Sequence, residues 1–487
     1  MLTFAAVVVV IFTACQQIDF NSEINANNEG ATSSNPQFNV SLNMVKTFLS
    51  ISNGNDETLS NVQQIQPIAY GGDTLMYIVN YKDAGGWEII SADRRTPIVL
   101  GSDSAGSFKI SNLHSGTFTW VDELAENIYN LKHSNSQADT TGFEYQLWSN
   151  IELLIEYRNE ETTDSRNGET TIMAIPKPPV GETEISYWKL VDIRTESMPS
   201  TQVGPLLPTK WGQGAPWNVN VLSNRDGTKC PTGCVAVAGA QTLRYLHYHI
   251  NKPVSTYSEG GYTGWIDYSG LFTESSYILH LRNENSTTWD FMALDYAEPK
   301  VRTDRVATLM AYVGNGVNMK YKIEGSGAQI TDLHTFIKSL GINCNFGDYN
   351  SSTVIASLSS RIPVIVGAFR KDGYHYILGI PTTQKKAGHA WVIDGYESRR
   401  TKYISTYVWA TTTSDGTTTT YPPTIQRAPQ ADTWKVEESI SSVNYLIMNW
   451  GWDGSQDGGR YALAGDWVSH SSGEGYNIDR EIIYGFK

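Results

Sequence analysis

The sequence predicts an α+β protein with a largely antiparallel sheet, in which a small N-terminal unit precedes a larger C-terminal one. Three observations predict it. In the C-terminal half, helical patterns come first and a run of strand-like segments follows, without the alternation of a parallel βαβ fold. A chain of 487 residues is longer than one core usually organises. The 42 glycines, 14 Trp and 27 Tyr suit a β-rich, loop-rich exported chain better than a helical bundle.

Taken in order, "LTFAAVVVVIFTACQQ" opens the chain. Its apolar run is too short to span a bilayer and reads as a signal peptide, residues 1–14. "FTAC" resembles a bacterial lipobox, which makes Cys15 a lipidation candidate, although Phe12 stands where Leu is usual and no basic residue precedes the run. Residues 15–36 are polar and Asn/Ser-rich, the composition of a disordered tether.

Residues 37–158 form the first folded unit. "FNVSLNMVKTFLS" has helical spacing. "TLMYIVNY" and the two halves of "GGWEIISADRRTPIVLGSD" read as strands, with a turn at Arg94 and Arg95. "TWVDELAENIYNLKH" and "FEYQLWSNIELLIEYRNE" are amphipathic helices. Residues 159–202 turn polar, with "NEETTDSRNGETT" and "IPKPPVGETE", and read as a linker open to cleavage.

The second unit is residues 203–487. A helix follows Cys234, another covers "RVATLMAYVGNG", and "ITDLHTFIKSLG" ends at Gly341. The strands are then "IPVIVGAF", "YHYILGI", "HAWVIDGY", "YISTYVWA", "VNYLIMNW" and "EIIYGF". The Thr-rich stretch 411–430 between two of them reads as a long, mobile hairpin loop.

Charge and cysteine usage narrow the function. A net charge of -14 is a poor basis for nucleic-acid or anionic-membrane binding by charge. Four cysteines are too few to staple a chain of this length.

"KCPTGCVAVAGAQ" carries two of them, Cys230 and Cys234. Thr232 is placed to cap the helix, which puts Cys234 in its first turn. There, free N–H groups and the helix dipole favour the thiolate. Cys230 precedes the turn and lacks that setting. A metal site with His247 and His249 fails on distance, because they lie more than three turns along the helix from Cys234. A Cys230–Cys234 disulfide requires their Cα atoms within about 7 Å.

A thiolate nucleophile needs a base and an oxyanion site. His389 opens an apolar strand in "AGHAWVIDGY", whereas His375 in "GYHYIL" lacks that context. "MNWGWDG" offers Asn449 to accept an imidazole proton and Trp450 or Trp452 to shield it. Gln213, between glycines in "WGQGAPWN", is a neutral donor suited to an oxyanion hole with the Cys234 N–H.

"QGAPWN", "PTGCVAVAGAQ", "GHAWVIDGY" and "NWGWDG", in that order, resemble the streptopain family of papain-like cysteine proteases. "LMAYVGNGVNMKY" extends the likeness, and "GGWEIISADRRTPIVLGSDSAGSF" resembles the inhibitory propeptide of those zymogens. The resemblance implies a two-lobed papain-like domain, a helical lobe plus an antiparallel sheet lobe, behind a small α+β propeptide domain. It carries the thiol, base and oxyanion roles to Cys234, His389 and Gln213, with Asn449 or Trp450 orienting the imidazole. It carries substrate binding to Gly388 and Ser326. It implies no cofactor and no metal, protein or peptide substrates, and the chain's own propeptide as inhibitor. The expected protein is an exported cysteine endopeptidase, a cell-surface or outer-membrane lipoprotein or one secreted after processing. The alternative is a catalytically silent, surface-anchored peptide-binding or adhesion protein on the same scaffold.

Overall fold

The computed structural model describes residues 35–54, 58–110, 115–134, 140–163, 184–249, 260–268, 271–279, 287–368, 389–413, 418–421, 434–454, 457–463 and 480–487. In the N-terminal unit, α1 (Leu42–Ser52) starts where the Ser41 hydroxyl accepts the Met44 N–H. Strands β1 (Val62–Tyr70), β2 (Asp73–Tyr81), β3 (Trp87–Ser91) and β4 (Val99–Asp103) form an antiparallel meander. Helices α2 (Ser115–Lys132) and α3 (Phe143–Thr163) complete it. The expected helices and three strands are present. β1 was not expected, because Pro67 interrupts its pattern.

The C-terminal region begins with β5 (Glu184–Ser197) and β6 (Thr201–Val203). Then come α4 (Cys234–His249), the hairpin β7 (Gly260–Tyr268) and β8 (Leu271–Leu279), and α5 (Thr287–Asp290). The helix α6 (Lys300–Gly316), β9 (Lys320–Tyr321), α7 (Ile330–Ser339), β10 (Asn345–Asp348), α8 (Ser351–Ser359) and β11 (Val364–Ala368) follow. Last are β12 (His389–Thr413), β13 (Thr418–Tyr421), β14 (Trp434–Asn449), β15 (Arg460–Ala462) and β16 (Arg480–Tyr484). Strands β11 to β16 follow the last helix, β5 to β10 precede it or alternate with helices, and every pairing in the large sheet is antiparallel, so the predicted α+β class is observed. No described helix is long and apolar enough to cross a membrane.

The main sheet runs β1-β2-β3-β4-β15-β14-β12-β11-β16-β10, with β5, β6 and β13 also on β12. The junction between the two units is a short ladder, Gly101 opposite Tyr461 and Ser102 opposite Arg460. Aromatic packing reinforces it. The rings of Trp87 and Trp120 lie 5.9 and 6.2 Å from that of Tyr461, and Arg480 stacks on Trp120. A second core joins α1 and α3 to Leu190 and Ile193 of β5 and Tyr403 of β12.

Two expectations need correction. The segment 159–202 is not linker throughout: α3 runs to Thr163, and β5 pairs with β12 from Glu184 to Ser197. A register shift near Val191 breaks the alternation that would have revealed the strand. Nor is 411–430 all loop. β12 continues to Thr413 and β13 folds back on it, Trp409 opposite Tyr421. "HAWVIDGY" and "YISTYVWA" are one 25-residue strand, because β14 pairs continuously across the polar stretch between them.

Candidate active site

Cys234 is the first residue of α4, and Gly233 before it has φ +89°. That conformation requires glycine, and a side chain there would also displace the end of Met319, whose Sδ would lie 2.6 Å away. The Gly233 carbonyl accepts the Ala236 and Val237 N–H groups and starts the helix. Thr232, expected to cap it, instead has its hydroxyl buried without a partner among the described residues. Further along, a Cβ on Gly239 would lie 2.7 Å from Leu333 and 3.0 Å from Val313. The small residues after Cys234 therefore let α4 seat closely on α6 and α7.

The thiol faces the N–H groups of Ala390, Val235 and Cys234. These pull its pKa down, but burial pushes it up by more, and the residue is 9% exposed. In the full-length chain the thiol is therefore less acidic than the helix terminus alone predicts.

His389 opens β12 beside Ala390, the residue whose N–H reaches the Cys234 sulfur. Its Nε2 lies 3.2 Å from the Trp450 carbonyl oxygen. A carbonyl only accepts, so Nε2 carries the proton and Nδ1 is left as the basic nitrogen. The ring stacks on Trp391 and Trp452, with centroids 5.8 and 6.1 Å away.

Asn449 is placed differently from expectation. Its Oδ1 accepts from Gln241 Nε2 at 2.9 Å and from the Gly451 N–H, and its Nδ2 donates to the Thr209 carbonyl. Thr209 Oγ1 donates to Gln241 Oε1 at 2.6 Å. This buried triangle ties three segments together: the 209–213 strip, the helix of Cys234 and the end of β14. Each bond contributes on the order of 1 kcal/mol, and leaving one member unpaired costs more. The imidazole acceptor is thus the main-chain carbonyl of Trp450. The Trp450 ring packs on Trp391 rather than stacking on the imidazole, and its Nε1 donates to the Tyr461 hydroxyl. Gln241 was missed by the sequence reading. Its signal was a lone polar residue in a small-residue run, seven positions and so about two turns after Cys234.

Gln213 is buried, and its carbonyl accepts the Thr232 N–H at 2.9 Å, which holds it against the turn before Cys234. The Ser326 hydroxyl bonds to the Lys322 main chain and closes the turn 320–327. The Ser326 carbonyl lies 3.2 Å from where a Gly233 Cβ would be, so the expected substrate-binding serine borders the cysteine turn. Gly388, His375 and Cys15 lie outside the described residues. Cys230 is fully buried and free, its thiol pushed up to about 11 by burial, and it forms no disulfide with Cys234. His247 stacks on Trp289, His249 stacks on Tyr245, and no metal-holding cluster is found among the described residues.

Comparison with known proteins gives two family matches. Residues 211–421 match the Peptidase C10 family, and residues 37–128 match the Spi protease inhibitor family. Streptopain from Streptococcus pyogenes serotype M1 is 25% identical over 359 residues, covering 68% of this chain and 70% of that protein. Streptopain from serotype M28 is 25% identical over 363 residues, with the same coverage. Among solved structures, a fragment of Prevotella intermedia prointerpain A aligns with a TM-score of 0.46 and 20% identity, covering 87% of this chain and 99% of that one. Active interpain A from the same organism aligns with a TM-score of 0.36 and 24% identity, covering 58% and 96%. An inhibitor-type region followed by a cysteine peptidase region is the organisation of a protease zymogen.

Proposed function

We propose that this streptopain-like chain is an exported cysteine endopeptidase made as a zymogen, with Cys234 as nucleophile and His389 as base. The observation that carries the reading is the packing of β12, which opens at His389, against α4, which opens at Cys234. Nδ1 of His389 takes the thiol proton, and the Trp450 carbonyl holds the Nε2–H as positive charge develops on the ring. The sulfur attacks a peptide carbonyl. The oxyanion is held by the Gln213 amide and the Cys234 N–H. The imidazolium protonates the leaving amine and then activates water to hydrolyse the thioester. Asn449 acts through the triangle with Gln241 and Thr209. Gly388 and Ser326 line the cleft on the side of the substrate preceding the scissile bond.

The N-terminal region inhibits the enzyme in the same chain until cleavage between it and the C-terminal region releases it. Export, by lipid on Cys15 or by full secretion, belongs to the same proposal and rests on the N-terminal sequence alone.

The test expresses residues 16–487 and follows casein loss and self-shortening under reducing conditions. Wild type and Cys230→Ala should cut casein, and Cys234→Ala should not. Wild-type protein that stays inert after the units are separated by an added protease would sink the reading, as would an active Cys234→Ala.

A further inference from the structure

The carboxyl group of Asp457 is not used in the mechanism above, yet it is one residue removed from it. Its Oδ1 accepts the Trp450 N–H at 2.7 Å, and the carbonyl of that same residue accepts from His389 Nε2 at 3.2 Å. The turn that carries it is closed at both ends, by the Gly458 N–H on the Met448 carbonyl and the Asp457 N–H on the Gly454 carbonyl. Oδ2 is buried and has no partner among the described residues. The groups facing Asp457 are Asp394 on β12, Asp453 in the same turn, Lys210 on the 209–213 strip and Tyr461 on β15. Burial first, and then Asp394 and Asp453, hold this carboxyl well above the usual range, against the Trp450 N–H and Lys210. Among the described residues, a carboxyl kept in so unfavourable a place has one directed contact, and that contact is with the backbone that orients the imidazole.

We infer that Asp457 is a positioning residue for the His389 base: it pins the Trp450 main chain so that the carbonyl stays aimed at Nε2. The inference rests on the enzyme reading above and adds a residue to it. The work is done by the Oδ1 acceptor, so an amide in its place serves as well. Without an acceptor the carbonyl is free to swing. The imidazolium then loses its fixed partner, and the thiolate–imidazolium pair becomes harder to form.

The experiment compares full-length wild type, Asp457→Asn and Asp457→Ala, each opened with the same added protease so that processing does not depend on the variant's own activity. Two quantities are read: kcat and KM on labelled casein, and the rate of Cys234 alkylation by iodoacetamide across pH. Asp457→Ala should lose roughly tenfold in kcat, the scale of one buried hydrogen bond, with KM little changed. The acid limb of its alkylation profile should move to higher pH. Asp457→Asn should keep wild-type kcat within about twofold and the wild-type limb. If Asp457→Ala does not fold, the Asn variant alone decides, since a tenfold loss in it overturns the inference. An Asp457→Ala protein with wild-type kcat and alkylation profile overturns it too. An inert wild type instead rejects the enzyme reading itself, so the two failures are distinguishable.

Discussion

The two ends of β12 serve different partners. At the near end, His389 to Ile393 are buried and pair with β11, Val392 and Ile393 also pair with β14, and the strand packs over α4. Among the described residues, His389 there meets the Trp450 carbonyl, and Ala390 to Ile393 belong to the core that also holds α4. At the far end, residues 401–408 lie between β14 and β5, residues 409–412 lie between β13 and β5, and Tyr403 enters the core formed by α1 and α3. The near end bears His389 and its contact with the Trp450 carbonyl; the far end meets α1 and α3 by apolar contact. One strand thus carries both the candidate base and a hold on the region expected to restrain it. If chemistry and latency draw on separable interactions, substitutions at each end should separate them.

The largest effect belongs to the near end. Cys234→Ala or His389→Ala should lower casein cleavage by about 10⁴-fold or more without changing the fold, as seen when members of a catalytic unit are removed. Activity assays beside circular dichroism check this, and retained turnover in either variant breaks the comparison.

Next is Asp394, also at the near end, whose buried carboxyl is pushed up to about 7 from 3.8. Burial is the main cause, opposed by the Leu207 N–H. Because the folded value is raised, the neutral acid favours the fold. The contribution is whole below about pH 4 and is lost as pH rises through 7, with a slope of about 1.4 kcal/mol per unit. Denaturant titrations in a Cys234→Ala background should show wild type losing stability relative to Asp394→Asn over that window. A pH-independent difference between the two would refute it.

At the far end, Tyr403→Ala should remove about 3 kcal/mol of packing between the N-terminal helices and β12. Separation of the two units, followed by limited proteolysis, should speed up, while kcat of the opened enzyme stays unchanged. A fall in kcat instead would show that the two ends are not separable.

The smallest effect is that of Cys230→Ala. It should cost about 1 kcal/mol of stability for the buried sulfur and leave activity at the wild-type level. A comparison of melting and casein cleavage is sufficient.

How much of this was legible follows from how local each signal is. Cys234 and His389 stand in short motifs whose residue types are themselves the chemistry, so they could be named from the chain. The acceptor of the imidazole proton is a main-chain carbonyl, which has no side-chain signature, whereas Asn449 in the same motif has one. The strand β5 was hidden within polar composition by its register shift. The aromatic contact of Trp87 and Trp120 with Tyr461 joins residues more than 300 positions apart.

By itself, then, the sequence determined the α+β class, most of the longer helices, and the identity of the candidate thiol and base, because periodicity and local motif chemistry are properties of neighbouring residues. Only the tertiary structure decided that Asn449 binds Gln241 and Thr209, and that Trp450 offers its carbonyl to His389. It alone decided that burial outweighs the helix terminus at Cys234 and that the N-terminal meander extends the same sheet. Hydrogen-bond partners, burial and strand neighbours are set by what the fold brings into contact across long stretches of chain, and no local pattern carries that information.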